Sequence, residues 1–376
     1  MTVVRHTTVA THRPLIVGEE TAAVNDHSLE FFRTLIDTAG PSGFEREVAA
    51  YWRSEAETFA DEVDRDLTGN SYAWVRTGDD RPTVLVEGHI DEIGVQIMHI
   101  DPEGFVWIDE IGGWDAQVLT GQRIRIMGAN GPVVGVIGRK AAHLLEPEDR
   151  EKAPKMSSLW IDIGATSRED ALKRVAIGDA GVVEAPFLHL TDDIVSSRAL
   201  DNRLGAWVAL EVARRCAETR PWVNVVGIAS TQEETSYGGA FTAAFKVNPL
   251  VAIAVDGTHP ADYPAANKKR DDEVSLGSGP VLTRGPSNNP VVYERLVAAA
   301  KDAGIAYTVQ AAPKLTWTTA DAMIRTGSGP ATGLVSVPVR YMHSPNETLN
   351  LRDMDATVDL IVGFISAIDA ETDFRP

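Results

Sequence analysis

The 376-residue chain has a formal net charge of −19, with 54 aspartates and glutamates against 35 lysines and arginines. Such a field repels phosphate backbones and anionic lipid, which argues against nucleic-acid and membrane partners. A hydrophobic fraction of 44% supplies apolar material for about two domains, and the single Cys216 rules out an intrachain disulfide.

In chain order, residues 1–26 show no clean period and read as an N-terminal extension. Arg5, His6, His12 and Arg13 interrupt the apolar core that a signal peptide needs. No uncharged run is long enough to span a bilayer, so a cytoplasmic location is expected. Leu29, Phe32, Leu35 and Ile36 form a helical stripe with Asp26 available as its cap. A second helix follows the turn at Pro41. Thr83–Glu87 reads as a buried strand ending in Gly88-His89-Ile90-Asp91.

The texture then changes. Between residues 94 and 195 the runs GVQIMHI, GFVWIDEI, QRIRIMG and PVVGVIG are short, β-rich and divided by Gly, Pro and Asn-Gly. This segment is expected to be an inserted β domain. Afterwards strands and helices alternate. Helices are expected at Leu204–Cys216, Val291–Ala303 and Met354–Ile368, and strands at Val223–Ser230, Leu250–Val255, Ala306–Gln310 and Gly333–Val339. Cys216 falls in the apolar pattern of its helix and reads as a packing residue. The expected fold is α/β, a sheet covered by helices on both faces, built from residues 27–93 and 196–376.

Five places put acids or histidines where buried strands end or helices open: His89 with Asp91, Asp201, Glu233 with Glu234, Asp256, and His343. Singly, each has an ordinary reading: a hydrogen-bonded structural histidine, a helix cap, a solvated pair, a turn acid, a surface histidine. Together they are charges following apolar sequence, where an unpaired charge is costly. Ligands of open α/β sheets collect outside the carboxyl ends of the strands, so these places can converge. A pair of divalent cations would be their common partner. Imidazole nitrogen with carboxylate oxygen suits zinc, cobalt or manganese. Two such ions sit about 3.5–4 Å apart and need a bridging ligand, which an aspartate can provide. Of two adjacent glutamates, one can coordinate while its neighbour stays free as a base.

The motifs GHIDEIG, SSRALDNRLGAW, STQEETSYGGA, AVDGTHP and RYMHSPNE, in this order, resemble those of metallopeptidase family forty-two, the tetrahedral-aminopeptidase group. GQRIRI, GVIGRKAAHLL and LTRGPSNNP are also similar to family segments. The resemblance implies a three-layer mixed sheet of the phosphorylase/hydrolase-like zinc-peptidase type, with a small β-barrel-like insert used for dimerisation. It implies His89, Asp201 and Asp256 as ligands of one ion, and Asp201, Glu234 and His343 as ligands of the other, zinc first and cobalt or manganese next. Asp91 matches the acid that orients His89, and Glu233 the general base acting on a water that bridges the ions. The implied activity is removal of N-terminal residues from short peptides, and the implied assembly is a homo-oligomer of dimers forming a dodecamer.

Three departures stand out. Thr319-Ala320-Asp321-Ala322 replaces the usual Gly-Thr-Asp-Ala, the segment after Asp256 (GTHPADYPAAN) is atypical, and the N-terminal extension is long. The altered segment around Ala320 keeps open a related di-metal amidohydrolase acting on N-acylated amino acids or small blocked peptides. Paired carboxylates also serve glycosidases, but that chemistry leaves His89 and His343 without a role. A non-catalytic assembly protein that keeps the fold is the remaining alternative. Pocket shape is expected to depend on loops near Arg284, Asp321 and the segment after Asp256. His143 is either a structural histidine of the insert or a residue approaching a neighbouring subunit's site.

Overall fold

A computed structural model describes residues 24–269 and 273–376. The expected extension at 1–26 lies, through residue 23, outside the described residues. The first helix, Asp26–Asp37, is capped by Asn25 and not by Asp26: the Asn25 side chain accepts from Ser28 N at 2.9 Å. Asp26 instead adds negative charge to the first turn, where the helix dipole favours it.

The chain enters the sheet through β1 (Glu62–Arg65), β2 (Ser71–Val75) and β3 (Thr83–His89). It leaves into β4 (Gly94–Ile100), β5 (Val106–Ile111), β6 (Arg123–Gly128), β7 (Gly131–Gly138), β8 (Trp160–Asp162) and β9 (Ala180–Val183). These six strands close into a barrel in the order β4-β5-β8-β7-β6-β9. Closure follows from alternation: Val95, Ile97, Ile124, Ile126 and Ile161 point inward and form a core of their own. Two short strands, β10 (Leu188–His189) and β11 (Ile194–Ser197), fall in or across the end of the span expected for the insert, but β11 pairs with a strand of the larger sheet.

That larger sheet is completed by β12 (Asn224–Ser230), β13 (Val251–Thr258), β14 (Val281–Arg284), β15 (Thr308–Ala311), β16 (Ala331–Arg340) and β17 (Glu347–Asn350). Its eleven strands run β1-β2-β12-β3-β13-β16-β17-β11-β10, with β14 and β15 attached beside β16. The four central strands, β12, β3, β13 and β16, are mutually parallel. Their sequences are continuous apolar runs because both faces are covered. On one face the helix Leu200–Thr219 packs with Asp26–Asp37, Pro290–Ala303 and Leu351–Ser366. On the other, Gly238–Val247 and the short helix Ala320–Met323 close a second core around Leu85, Ile228 and Ala254. The fold is thus a mixed α/β sheet with helices on both faces and an attached barrel. β1 was not legible in the sequence, because Glu-Val-Asp-Arg at a sheet edge carries no apolar alternation, and the buried β2 was not singled out either. Cys216 is fully buried, and burial pushes its thiol up to about 12. Among the described residues, no helix is long and apolar enough to cross a membrane.

The helix Leu200–Thr219 lies unusually close to the sheet. A Cβ on Gly88 would fall 2.0 Å from the carbonyl carbon of Gly205, so β3 and the helix touch backbone to backbone. This contact sets the depth at which the start of the helix meets the end of β3. Gly88→Ala is therefore expected to lower unfolding stability by about 3 kcal/mol or more. An unchanged urea midpoint in that variant would refute the contact.

Candidate metal centre and active site

All the candidate residues gather at the carboxyl ends of the four parallel strands. His89 ends β3, and Asp256 lies near the end of β13. β12 ends at Ser230, and Gln232, in the left-handed region at φ 58°, turns the chain into the short helix Glu233–Ser236. Beyond β16, Tyr341 and His343 are both left-handed (φ 60° and 59°), which turns the His343 ring back over the strand ends. Asp201 comes from the first turn of Leu200–Thr219, where Asp201 and Asn202 depart from helical geometry. Asn202 anchors that break: its Nδ2 donates to Val255 O on β13, and its Oδ1 accepts from Gly205 N.

The side chains interlock. His89 Nε2 lies 3.3 Å from Asp201 Oδ1 and 3.6 Å from Glu233 Oε2. His343 Nε2 lies 3.6 Å from Asp201 Oδ2 and 3.4 Å from Glu234 Oε2. Asp201 therefore stands between the two imidazoles. Asp91 backs the cluster, with Oδ1 3.4 Å from His89 Nδ1. Its two oxygens also accept the backbone N–H groups of Glu233 (3.0 Å) and Glu234 (3.1 Å). One carboxylate thus orients an imidazole and both glutamates.

Sequence reasoning gave no role to three further supports. Glu347 is buried and accepts Asp201 N at 2.9 Å and His343 N at 2.8 Å, which ties two distant candidates together. Its only signal was its place in RYMHSPNE. The barrel contributes the carbonyl of Gly113, 2.8 Å from His343 Nδ1, a backbone contact with no sequence signature. Glu45 accepts Gly43 N and Gln232 N on the same oxygen, Oε1, which fixes the left-handed turn before Glu233.

Burial and mutual repulsion make the cluster hold protons. Burial, followed by neighbouring acids, pushes Glu233, Asp256 and Glu347 well above the usual carboxylate range, and burial raises Glu234 as well. Burial by itself would lower both imidazoles. Glu233, Asp201 and Asp91 nevertheless hold His89 well above its ordinary value, and Glu234 and Asp201 bring His343 up to about 10. Burial would raise Asp201, but the two imidazoles outweigh it and hold Asp201 low.

The donors fit divalent cations. Asp201 Oδ1 and Glu234 Oε1 are buried and accept no hydrogen bond, a costly condition that a cation would relieve. Donor atoms of His89, Asp201 and Glu234, and of His89, Glu233 and Asp256, lie within 4.8 Å of one another. His343 reaches the first set through Asp201 and Glu234. Glu233 falls within ligand reach of His89 and Asp256, closer in than a base standing outside the ligand set.

The cluster opens into a cavity of about 710 Å³, whose wall also includes Tyr237, His259, Gln310, Leu315 and Trp317. His259 belongs to the atypical GTHP segment and was not singled out in the sequence. Asp321 does not line the cavity. It accepts Ser287 Oγ, Thr316 N and Trp317 N, and so braces the loop that does. Ala320 is buried beneath that loop. Arg284 lines a separate cleft of about 420 Å³, and His143 is exposed on the turn Ala142–Leu144, away from the cavity wall.

Glu45 carries a pH-dependent test. Burial, then Asp91, raises its pKa from 4.5 to about 7. An acid raised on folding withholds no stability below its unfolded pKa. It costs stability as pH rises from 4.5 toward 7, and the loss is complete above that. Gln can keep both bonds to Oε1 without the charge. Glu45→Gln should therefore stabilise the metal-free protein at pH 8 relative to pH 5, by on the order of 2 kcal/mol. Parallel pH profiles of the two urea midpoints would contradict this.

A family model described as M42 glutamyl aminopeptidase matches residues 69–360. The lysyl aminopeptidase of Pyrococcus furiosus is 33% identical over 353 residues, covering 92% of this chain and 99% of that one. The crystal structure of a TET aminopeptidase from a marine-sediment Thaumarchaeota archaeon superposes with a TM-score of 0.88 at 34% identity, covering 92% of this chain and 98% of that one. The Pyrococcus horikoshii TET1 peptidase, which can assemble into a tetrahedron or a large octahedral shell, gives 0.80 at 29% identity over 91% of this chain and 100% of its own. The fold, the acid–imidazole cluster at its strand ends and these likenesses agree: the chain belongs to the M42 family of aminopeptidases.

Proposed function

We propose that the protein removes N-terminal residues from short peptides, with two divalent metal ions, zinc first among cobalt and manganese, held by His89, Asp201, Glu234, Asp256 and His343. The observation that supports this most is the meeting of five distant segments around Asp201, with buried oxygens on Asp201 and Glu234 left without partners. Asp201 would be shared by both ions, since its Oδ1 lies beside His89 and its Oδ2 beside His343. His89 and Asp256 complete one site, and Glu234 and His343 the other. When bound, the ions supply the Lewis acidity that brings water toward ionisation at neutral pH.

This chain's own residues do the rest. Glu233 takes the proton of the attacking water and returns it to the amine nitrogen as the C–N bond breaks. Burial and neighbouring acids raise its pKa in the metal-free protein, and bound cations would draw it back down. Asp91 holds the His89 ring and, through the Glu233 and Glu234 N–H groups, the register of base and ligand. Glu347 holds the backbones of Asp201 and His343 in mutual register. A free substrate amine fits beside the acids of the cluster, which would favour exopeptidase action. The barrel, with exposed Val134, Val136 and Leu144, is the assembly module. Dimers joined through it would build a dodecamer like the shells of the TET relatives, which admits short peptides. Residues 27–93 and 196–376 form the catalytic domain and 94–195 the insert, except that β10 and β11 join the catalytic sheet.

Glu233→Gln should keep its metals and lose two to four powers of ten in kcat. Near-normal turnover would take the base role away from Glu233. His343→Ala should bind about one ion per chain where the parent binds two. Elemental analysis showing equal stoichiometry in both would remove His343 from the ligand set.

A further inference from the structure

The cavity has two chemically different walls. One is the acid–imidazole cluster. The other mixes apolar Ala311, Ala312, Pro313 and Leu315 with the neutral polar Gln310 and Thr316. Among the described residues, no lysine or arginine lines the cavity, and its only carboxylates are Asp201, Glu233, Glu234 and Asp256. We propose that this second wall selects peptides whose first residue is uncharged and mainly apolar, and disfavours lysyl and glutamyl N-termini. The proposal rests on the aminopeptidase reading and deepens it.

The reasoning is one of partners. A glutamate side chain entering the cavity would meet no guanidinium or ammonium among the lining residues, in a protein of net charge −19. The cation that follows Thr283 along β14, Arg284, lines the separate cleft instead. A lysine would need a carboxylate not already committed to metal. Asp321, which braces the wall loop, has none to offer: Oδ1 accepts Ser287 Oγ at 2.6 Å, and Oδ2 accepts Thr316 N at 2.8 Å and Trp317 N at 2.9 Å. An apolar side chain meets neither difficulty and gains from leaving water. A neutral polar one brings no charge that the lining would have to compensate.

The test is a panel of leucyl, methionyl, phenylalanyl, glutaminyl, lysyl and glutamyl amides with the metal-loaded full chain. The expected kcat/KM for the best of the three apolar substrates is at least tenfold above lysyl and a hundredfold above glutamyl. A lysyl or glutamyl substrate cleaved as fast as the apolar ones would overturn the specificity and leave the aminopeptidase reading standing. Cleavage of no member would overturn both. Ala311→Arg, at an exposed position at the end of β15, should raise the glutamyl-to-leucyl ratio at least tenfold, and Ala312→Lys provides the same reading if the first variant does not fold. An unmoved ratio in a folded variant would remove this wall from substrate selection.

Discussion

Burying Asp201, Glu233, Glu234 and Asp256 around two imidazoles is the constraint to which the rest of the structure answers. Carboxylates removed from water without compensation are among the costliest groups a fold can hold. The compensation is local and layered. Asp91 takes two backbone N–H groups at the start of the Glu233–Ser236 turn, and Glu347 takes those of Asp201 and His343. These bonds leave Asp201 Oδ1 and Glu234 Oε1 buried without a hydrogen-bond partner.

The backbone bends to make this possible. Ala199, Gln232, Tyr237, Tyr341 and His343 all lie in the left-handed region, and each flanks or belongs to the cluster. Non-glycine residues there are strained, and such strain persists only where surrounding contacts over-determine it. Glu45 on Gln232, Gly113 on His343 and Asn202 on Val255 are those contacts. The Gly88–Gly205 approach works on the same scale, because any side chain there would lift the helix and take Asp201 away from His89. The barrel also has a part in the site, since Gly113, beyond β5, supplies the carbonyl that meets His343.

Much of this was readable in the residues. Apolar runs ending in a histidine or acid identified β3 and β13, and the change of texture after Gly94 identified an inserted β segment, whose barrel-like form was implied by the family resemblance. Asp91, Asp201 and Glu234 stood out because charges follow apolar sequence there. Other parts were silent. β1 and β2 are an edge and its neighbour that drew no expectation, and the helix Gly238–Val247 opens on two glycines, which are poor helix formers. Asp26 looked like a cap, yet Asn25 is the residue whose backbone is extended. His259 and Tyr237 gave no warning of lining the cavity.

The sequence by itself determined which chemistry was available: two imidazoles, clustered carboxylates, a lone buried thiol and an α/β alternation. Periodicity and residue type are local properties, and they carry that much. The tertiary structure alone decided which atoms meet: that Asp201 stands between His89 and His343, that Glu347 ties their backbones, and that Asp321 braces a wall and does not line it. Those relations depend on parallel strands far apart in the chain ending at one level. Backbone groups, identical at every position in the sequence, complete them.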